Sequence, residues 1–148
     1  MRLNPYQVDH EGYQKLLAWT GHLLQGPLDH ALIQLVEVRV SQVNGCAFCL
    51  AMHTDQARTA GVHQSKLDTV AAWRETGSFT DAERAALALA ESLTHLDPGG
   101  VRDEVWAAAV EHYDQEQLVI LVEVIAMINA FNRINIATQF PAEQYRPR

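Results

Sequence analysis

The stretch Leu118-Val119-Ile120-Leu121-Val122 is apolar at every position. It lies in a segment opened by Asp114, with Gln117 placed as the return partner of a capping box. The helix so begun continues to about Gln139. A helix with no polar face has to be covered on every side. A chain of 148 residues has limited interior in which to do that. The cover comes either from the chain's own core or from other subunits. The second is the expectation, so the chain is read as a homo-oligomer.

The remaining segments also repeat their apolar residues at helical rather than alternating spacing. A first helix is expected from about Asp9 to Gln25, with Tyr13, Leu16, Leu17, Trp19, Leu23 and Leu24 as its buried stripe, and Gly26-Pro27 ends it. A second runs from about Leu28 to Val43 on Leu32, Leu35, Val36 and Val40, until Asn44-Gly45 breaks it. A third covers about Cys46 to Ala60 and a fourth about Ser65 to Glu75. Thr80 and Glu83 frame a capping box for a fifth, which reaches about Leu96 before Asp97-Pro98-Gly99-Gly100. A sixth spans about Arg102 to Tyr113. No strand, repeat or linker is legible. The chain, 1–148, is read as a single all-α domain of six to seven helices, with only the tail from Pro141 to Arg148 loosely held. Trp19, Trp73 and Trp106 are read as core or interface anchors. Glu123, a lone carboxylate in the apolar last helix, is expected to pair with Arg39 or Arg133.

Charge narrows the partners. Eleven Lys and Arg face 18 Asp and Glu, for a net charge of -7, and no basic block stands out. That balance argues against nucleic acid and against anionic lipid as partners. Asp9 and Glu11 stand where a signal peptide needs an apolar run. The longest oily stretch, Leu118 to Ile128, is cut by Glu123 and too short to cross a bilayer. The chain is therefore read as soluble and cytoplasmic.

The two cysteines, Cys46 and Cys49, open a helix directly after Asn44-Gly45. A bridge between them closes almost no loop, so its value is chemical rather than stabilising. Helical spacing of three puts both sulfurs near one face. The free N–H groups and positive dipole end of the helix favour a thiolate. Cysteines in such motifs have pKa values lowered from ~8.5 to ~3.5–7.5. His53 follows Cys49 by four residues, on the same face, where it can take the thiol proton and later return one to a leaving oxygen. These three residues are the minimum for reducing a peroxide through a sulfenic acid that closes to a disulfide. A structural zinc site needs a second ligand pair, and no further cysteine exists. Inert buried thiols are the other alternative. The remaining six histidines are scattered and form no ligand pair.

The run Ser41-Gln42-Val43-Asn44-Gly45-Cys46-Ala47-Phe48-Cys49-Leu50-Ala51-Met52-His53 resembles the signature of the AhpD-like alkylhydroperoxidase family, within the carboxymuconolactone decarboxylase superfamily. Its N-G-C-x-x-C-x-x-x-H spacing is complete, and Asn129-Ala130-Phe131-Asn132-Arg133 resembles the family's final helix. The resemblance covers most of the chain. It implies an all-α AhpD-like fold, thiol-dependent peroxidase activity of the peroxiredoxin type, and trimers or hexamers. It implies that Cys49 attacks a hydroperoxide and Cys46 resolves it. An external dithiol is the expected reductant, with neither metal nor organic cofactor.

Two positions depart from the family's best-studied branch. A glutamate there stands twelve residues before the first cysteine, in a proton relay with the histidine; here the position is Gln34. Glutamine can orient an imidazole but cannot exchange a proton at neutral pH. Glu37, one helical turn on, is expected to be a solvated surface charge, with substitution for the missing relay acid as the alternative. A histidine before the second cysteine is replaced by Phe48. The expected function is a thiol peroxidase of reduced strength. Two alternatives stay open: a non-enzymatic redox sensor or stress-response protein using the Cys46–Cys49 disulfide, and a small-molecule decarboxylase or lyase on the same scaffold.

Overall fold

Helix starts in this chain are written by single side chains. Asn4 accepts from Tyr6 N and opens α1 (Pro5–Val8), Asp9 opens α2 (His10–Leu24), and Asp29 opens α3 (His30–Asn44). The sulfur of Cys46 caps α4 (Ala47–Thr59), and His63 caps α5 (Gln64–Thr69). Thr80 and Asp114 build full capping boxes for α6 (Asp81–Thr94) and α8 (Gln115–Thr138). Each such cap satisfies N–H groups that have no partner inside the helix, and each of the Asn, Asp and Thr caps contributes about 1 kcal/mol. Between the last two lies α7 (Asp103–Val110). The computed structural model describes residues 1–147, and among these there is no β-strand.

α3 is the hub. It packs against α4 on one side, α8 on another and α6 on a third. Every residue from Ile33 to Val38 is buried, Gln34 and Glu37 among them. α8 crosses α3 and supplies Leu121, Val124, Ile125 and Ile128, all fully enclosed, to the main core. Burying a side chain of that size contributes ~1.5–3 kcal/mol. A second core lies where Leu35, Val38 and Leu87 meet Trp73 and Phe79. α8 is long and apolar enough to cross a membrane by length and composition, yet half of its apolar window is buried inside the fold.

The apolar run in α8 is covered only in part by its own chain: Leu118, Ile120 and Leu121 are buried, whereas Val119 is 57% exposed. Several expectations are corrected. The N-terminal segment starts helix at Pro5, because Asn4 and Pro5 form a capping pair that breaks again at Asp9. The fourth expected helix stops early. Its second half, Val70–Glu75, is a 3-10 segment kinked at Ala72. Arg84 explains the change, since its guanidinium donates to the carbonyls of Trp73, Arg74 and Thr76. The tail is held as far as Tyr145, whose hydroxyl donates to Asp55 Oδ2 at 2.7 Å, with its ring edge-on to Phe48. The last residue of the expected tail, Arg148, lies outside the described residues. Glu123 is only half-buried and pairs with neither expected arginine. Arg39 donates instead to Glu91, and Arg133 to Asn129. Of the tryptophans, Trp73 is buried, Trp19 half-buried and Trp106 exposed.

Glu91 ties the second core together. It accepts from Arg39 Nε at 2.7 Å, Arg74 Nη1 at 2.6 Å and Trp73 Nε1 at 2.8 Å. Burial pushes its carboxyl up, but these three donors outweigh burial and hold it below the ordinary glutamate value. A lowered folded-state pKa gives stability that is present above the unfolded value and lost as pH falls through the folded one. Glu91→Gln should therefore lower the urea midpoint at neutral pH. The deficit should shrink steadily below about pH 4.3, the free glutamate value. A deficit that stays constant down to the acid limb contradicts this role.

Candidate active site at the cysteine turn

Gly45 sets the geometry of the turn. Its φ of 74° lets the chain reverse at the end of α3, with Gly45 N donating to Gln42 O and Cys46 N to Ser41 O. This is the paired bonding of a Schellman stop, which needs a left-handed residue. Cys46 is thereby thrown out of the helix into an extended conformation, and its sulfur accepts from Cys49 N at 3.4 Å. The expected third helix thus begins at Ala47, with Cys46 as its cap. The two cysteines are joined by a disulfide, and each is 1% exposed.

A polar network clamps this turn to its neighbours. Asn44 Nδ2 donates to Asn129 Oδ1 and Asn132 Oδ1, both at 2.9 Å. Asn132 Nδ2 donates to Ser41 Oγ, and Asn129 Nδ2 to Thr94 Oγ1. Buried amides are tolerated when satisfied in this way. The result is that α3, α6 and α8 all hold the segment that presents the cysteines.

α3 supplies the other polar half of the site. His53 Nδ1 lies 3.0 Å from Gln34 Oε1 and 3.1 Å from Glu37 Oε2. Gln34 Oε1 can only accept, so in this pairing Nδ1 is the donor, which leaves Nε2 as the ring's acceptor. Glu37 Oε2, although close to the same nitrogen, is buried without a hydrogen-bond partner in the protein. Glu37 is 2% exposed, which corrects the expectation of a solvated surface charge. The reason is packing: α4, α6 and α8 all lean on α3 and leave no face to solvent along this stretch. Glu37 thus reaches the imidazole nitrogen that Gln34 also contacts.

Two groups that the sequence did not flag complete the site. Asn135 Nδ2 donates to Cys49 Sγ at 3.4 Å, and the Tyr6 hydroxyl donates to Asn135 Oδ1. Burial pushes the Tyr6 hydroxyl up to about 12, against the lowering effect of its bond to Asn135. A usable signal was the spacing of Asn129, Asn132 and Asn135, three amides three residues apart in an otherwise apolar helix.

Cys49, His53, Gln34, Glu37, Tyr6 and Asn135 all line one cavity of about 190 Å³. Its remaining walls are mostly apolar and include Tyr13, Phe48, Phe131, Met52 and Met127. Cys46 is not part of the lining. Phe48 sits edge-on to Phe140 at 4.9 Å and closes the site as an apolar wall where a proton-carrying side chain was conceivable. Among the described residues, no three His, Cys, Asp or Glu side chains converge as a metal site requires.

An all-helical scaffold presenting a dithiol–disulfide pair at a helix start defines the class. The chain belongs to the carboxymuconolactone decarboxylase family, whose sequence pattern matches residues 11–92. It is 38% identical over 136 residues to the uncharacterized protein YdfG of Bacillus subtilis (strain 168), covering 92% of each chain. Its fold matches ATU0492 of Agrobacterium tumefaciens with a TM-score of 0.91 at 28% identity, covering 95% of this chain and 96% of that one. ATU0492 is of unknown function, and a role as the antioxidant defence protein AhpD has been suggested for it. The debrominase Bmp8, solved in complex with 2,3,4-tribromopyrrole, shares the fold at a TM-score of 0.75 and 21% identity, over 88% of this chain and 70% of its own. The all-α AhpD-like fold expected from the cysteine motif is therefore the fold observed.

Gly45→Ala tests the turn. The space around the new Cβ is open, so the penalty is the left-handed backbone alone. A loss of about 1–2 kcal/mol in urea unfolding is expected. An unchanged midpoint means that the turn does not depend on that conformation.

Proposed function

We propose that the protein is a thiol-dependent peroxidase of the AhpD-like type. The observation that carries the reading is that Cys49, and not Cys46, shares the apolar cavity with His53 and Glu37. In the reduced protein, His53 Nε2 accepts the Cys49 thiol proton. The imidazolium is stabilised by Glu37 at 3.1 Å from Nδ1, while Gln34 fixes the ring. The thiolate attacks the outer oxygen of a hydroperoxide. An S–O bond forms, the O–O bond breaks, and the leaving alkoxide takes the proton from His53 as an alcohol. The Cys46 thiol, three residues away in sequence, displaces water from the sulfenic acid and closes the disulfide. An external dithiol reduces that disulfide by exchange and is itself oxidised. The carboxylate of this relay is Glu37 rather than a residue at position 34. No resident metal or cofactor enters the scheme.

The exposed Val119 in the apolar run of α8 supports cover by a second copy of the chain, and trimers or hexamers are the proposed assembly. The size of the cavity and its mostly apolar walls favour a small hydroperoxide, and the net charge of -7 argues against a nucleic-acid or membrane partner.

Mixing reduced protein with an organic hydroperoxide should consume it stoichiometrically and leave the Cys46–Cys49 disulfide, read by thiol titration. With a dithiol present, consumption should continue through many turnovers, which a single-event redox sensor cannot do. Glu37→Gln should slow the oxidation about tenfold, and His53→Ala by about a hundredfold or more, the usual contribution of an acid–base group. Thiols that survive excess peroxide remove the reading.

A further inference from the structure

The Cys49 sulfur is held from outside its own helix. Asn135, in the last turn of α8, donates to it from Nδ2 at 3.4 Å. The same amide accepts the Tyr6 hydroxyl at Oδ1. An amide can present either end to a neighbour, and the choice decides whether a sulfur meets a donor or an acceptor. Tyr6 makes that choice. Burial keeps its hydroxyl protonated, its partner Oδ1 can only accept, and a donor at Oδ1 leaves Nδ2 facing the sulfur.

The arrangement is built from both ends of the chain. After α8 the backbone turns at Gln139, with Phe140 N donating to Asn135 O at 2.9 Å. The Phe140 ring then packs on Tyr6 and on Phe48. Tyr6 and Asn135 are thus locked against the cysteine helix by the same turn. Asn135 is 3% exposed, so bulk solvent does not compete with the sulfur for its donor.

We propose that Asn135 supplies the hydrogen bond that stabilises the Cys49 thiolate, and that Tyr6 is a positioning residue that fixes the direction of its amide. The contact is made here to the disulfide sulfur. On reduction that sulfur gains charge, and a hydrogen bond to a charged acceptor is roughly twice as strong as one between neutral groups. The donor therefore favours the reduced, ionised form over both the thiol and the disulfide. The inference rests on Cys49 as the reacting sulfur. The titratable groups that share its cavity are Glu37 of α3, His53 of α4, Tyr13 of α2 and Tyr6 of α1.

The test follows the pH dependence of iodoacetamide alkylation of Cys49 in the reduced full chain carrying Cys46→Ser. Asn135→Ala should move the midpoint of the profile up by about one pH unit, the scale of one lost hydrogen bond to an anion. Tyr6→Phe, which keeps the ring, should move it in the same direction by less. In the protein with both cysteines, Asn135→Ala should shift the equilibrium with glutathione about tenfold towards the disulfide, the same free energy read as a redox constant. Coinciding alkylation profiles for the parent, Asn135→Ala and Tyr6→Phe overturn the proposal. So does a downward shift. Tyr6→Phe keeps the question open to an answer if Asn135→Ala fails to fold. No peroxide is used, so shifted profiles in a protein inert to peroxide would refute the peroxidase reading alone, and unshifted profiles in an active peroxidase would refute this inference alone.

Discussion

A carboxylate removed from water has to be compensated, and the Glu37–His53 contact is where this fold meets that demand. Glu37 is enclosed by the helices that pack on α3, with one oxygen 3.1 Å from a ring nitrogen. Desolvating a charge costs several kcal/mol unless a partner answers it. The same ring nitrogen also faces Gln34 at 3.0 Å, so the helices packed on α3 hold acid, amide and imidazole together beside Cys49. Packing around α3 and the geometry of the cavity are in this sense one constraint.

The cysteine turn has the same dual character. Gly45, Cys46 and Asn44 end one helix and begin the next, which is a problem of backbone conformation and free N–H groups. The solution buries a disulfide at the start of a helix and turns one sulfur into a cavity. The amide network from Asn44 to Asn129 and Asn132 keeps that turn from opening sideways. The fold by itself does not choose a reaction, since Bmp8 shares it and is a debrominase. The cavity's own residues make the argument here.

What could be read from the sequence was local. The helix starts at Thr80 and Asp114, the break at Asn44-Gly45 and the face shared by Cys49 and His53 are set within four residues of chain. Burial of Glu37 was not legible, because it depends on α4, α6 and α8 all packing on one helix. Average preference placed that acid in water, and three packed neighbours reversed the outcome. Tyr6 and Asn135 escaped for a related reason: they stand 129 residues apart and meet only when the chain's two ends close over the cysteine helix. The 3-10 segment after Thr69 was hidden likewise, since Arg84 reshapes it from a different helix.

The central claim is that the oxidant reaches Cys49 and not Cys46. Trapping of sulfenic acid with a carbon-acid reagent, followed by peptide mass spectrometry, addresses it directly. In the Cys46→Ser chain treated with hydroperoxide, the adduct should appear on Cys49. In the Cys49→Ser chain, Cys46 should stay unmodified. An adduct on Cys46, or none on either sulfur, contradicts the account.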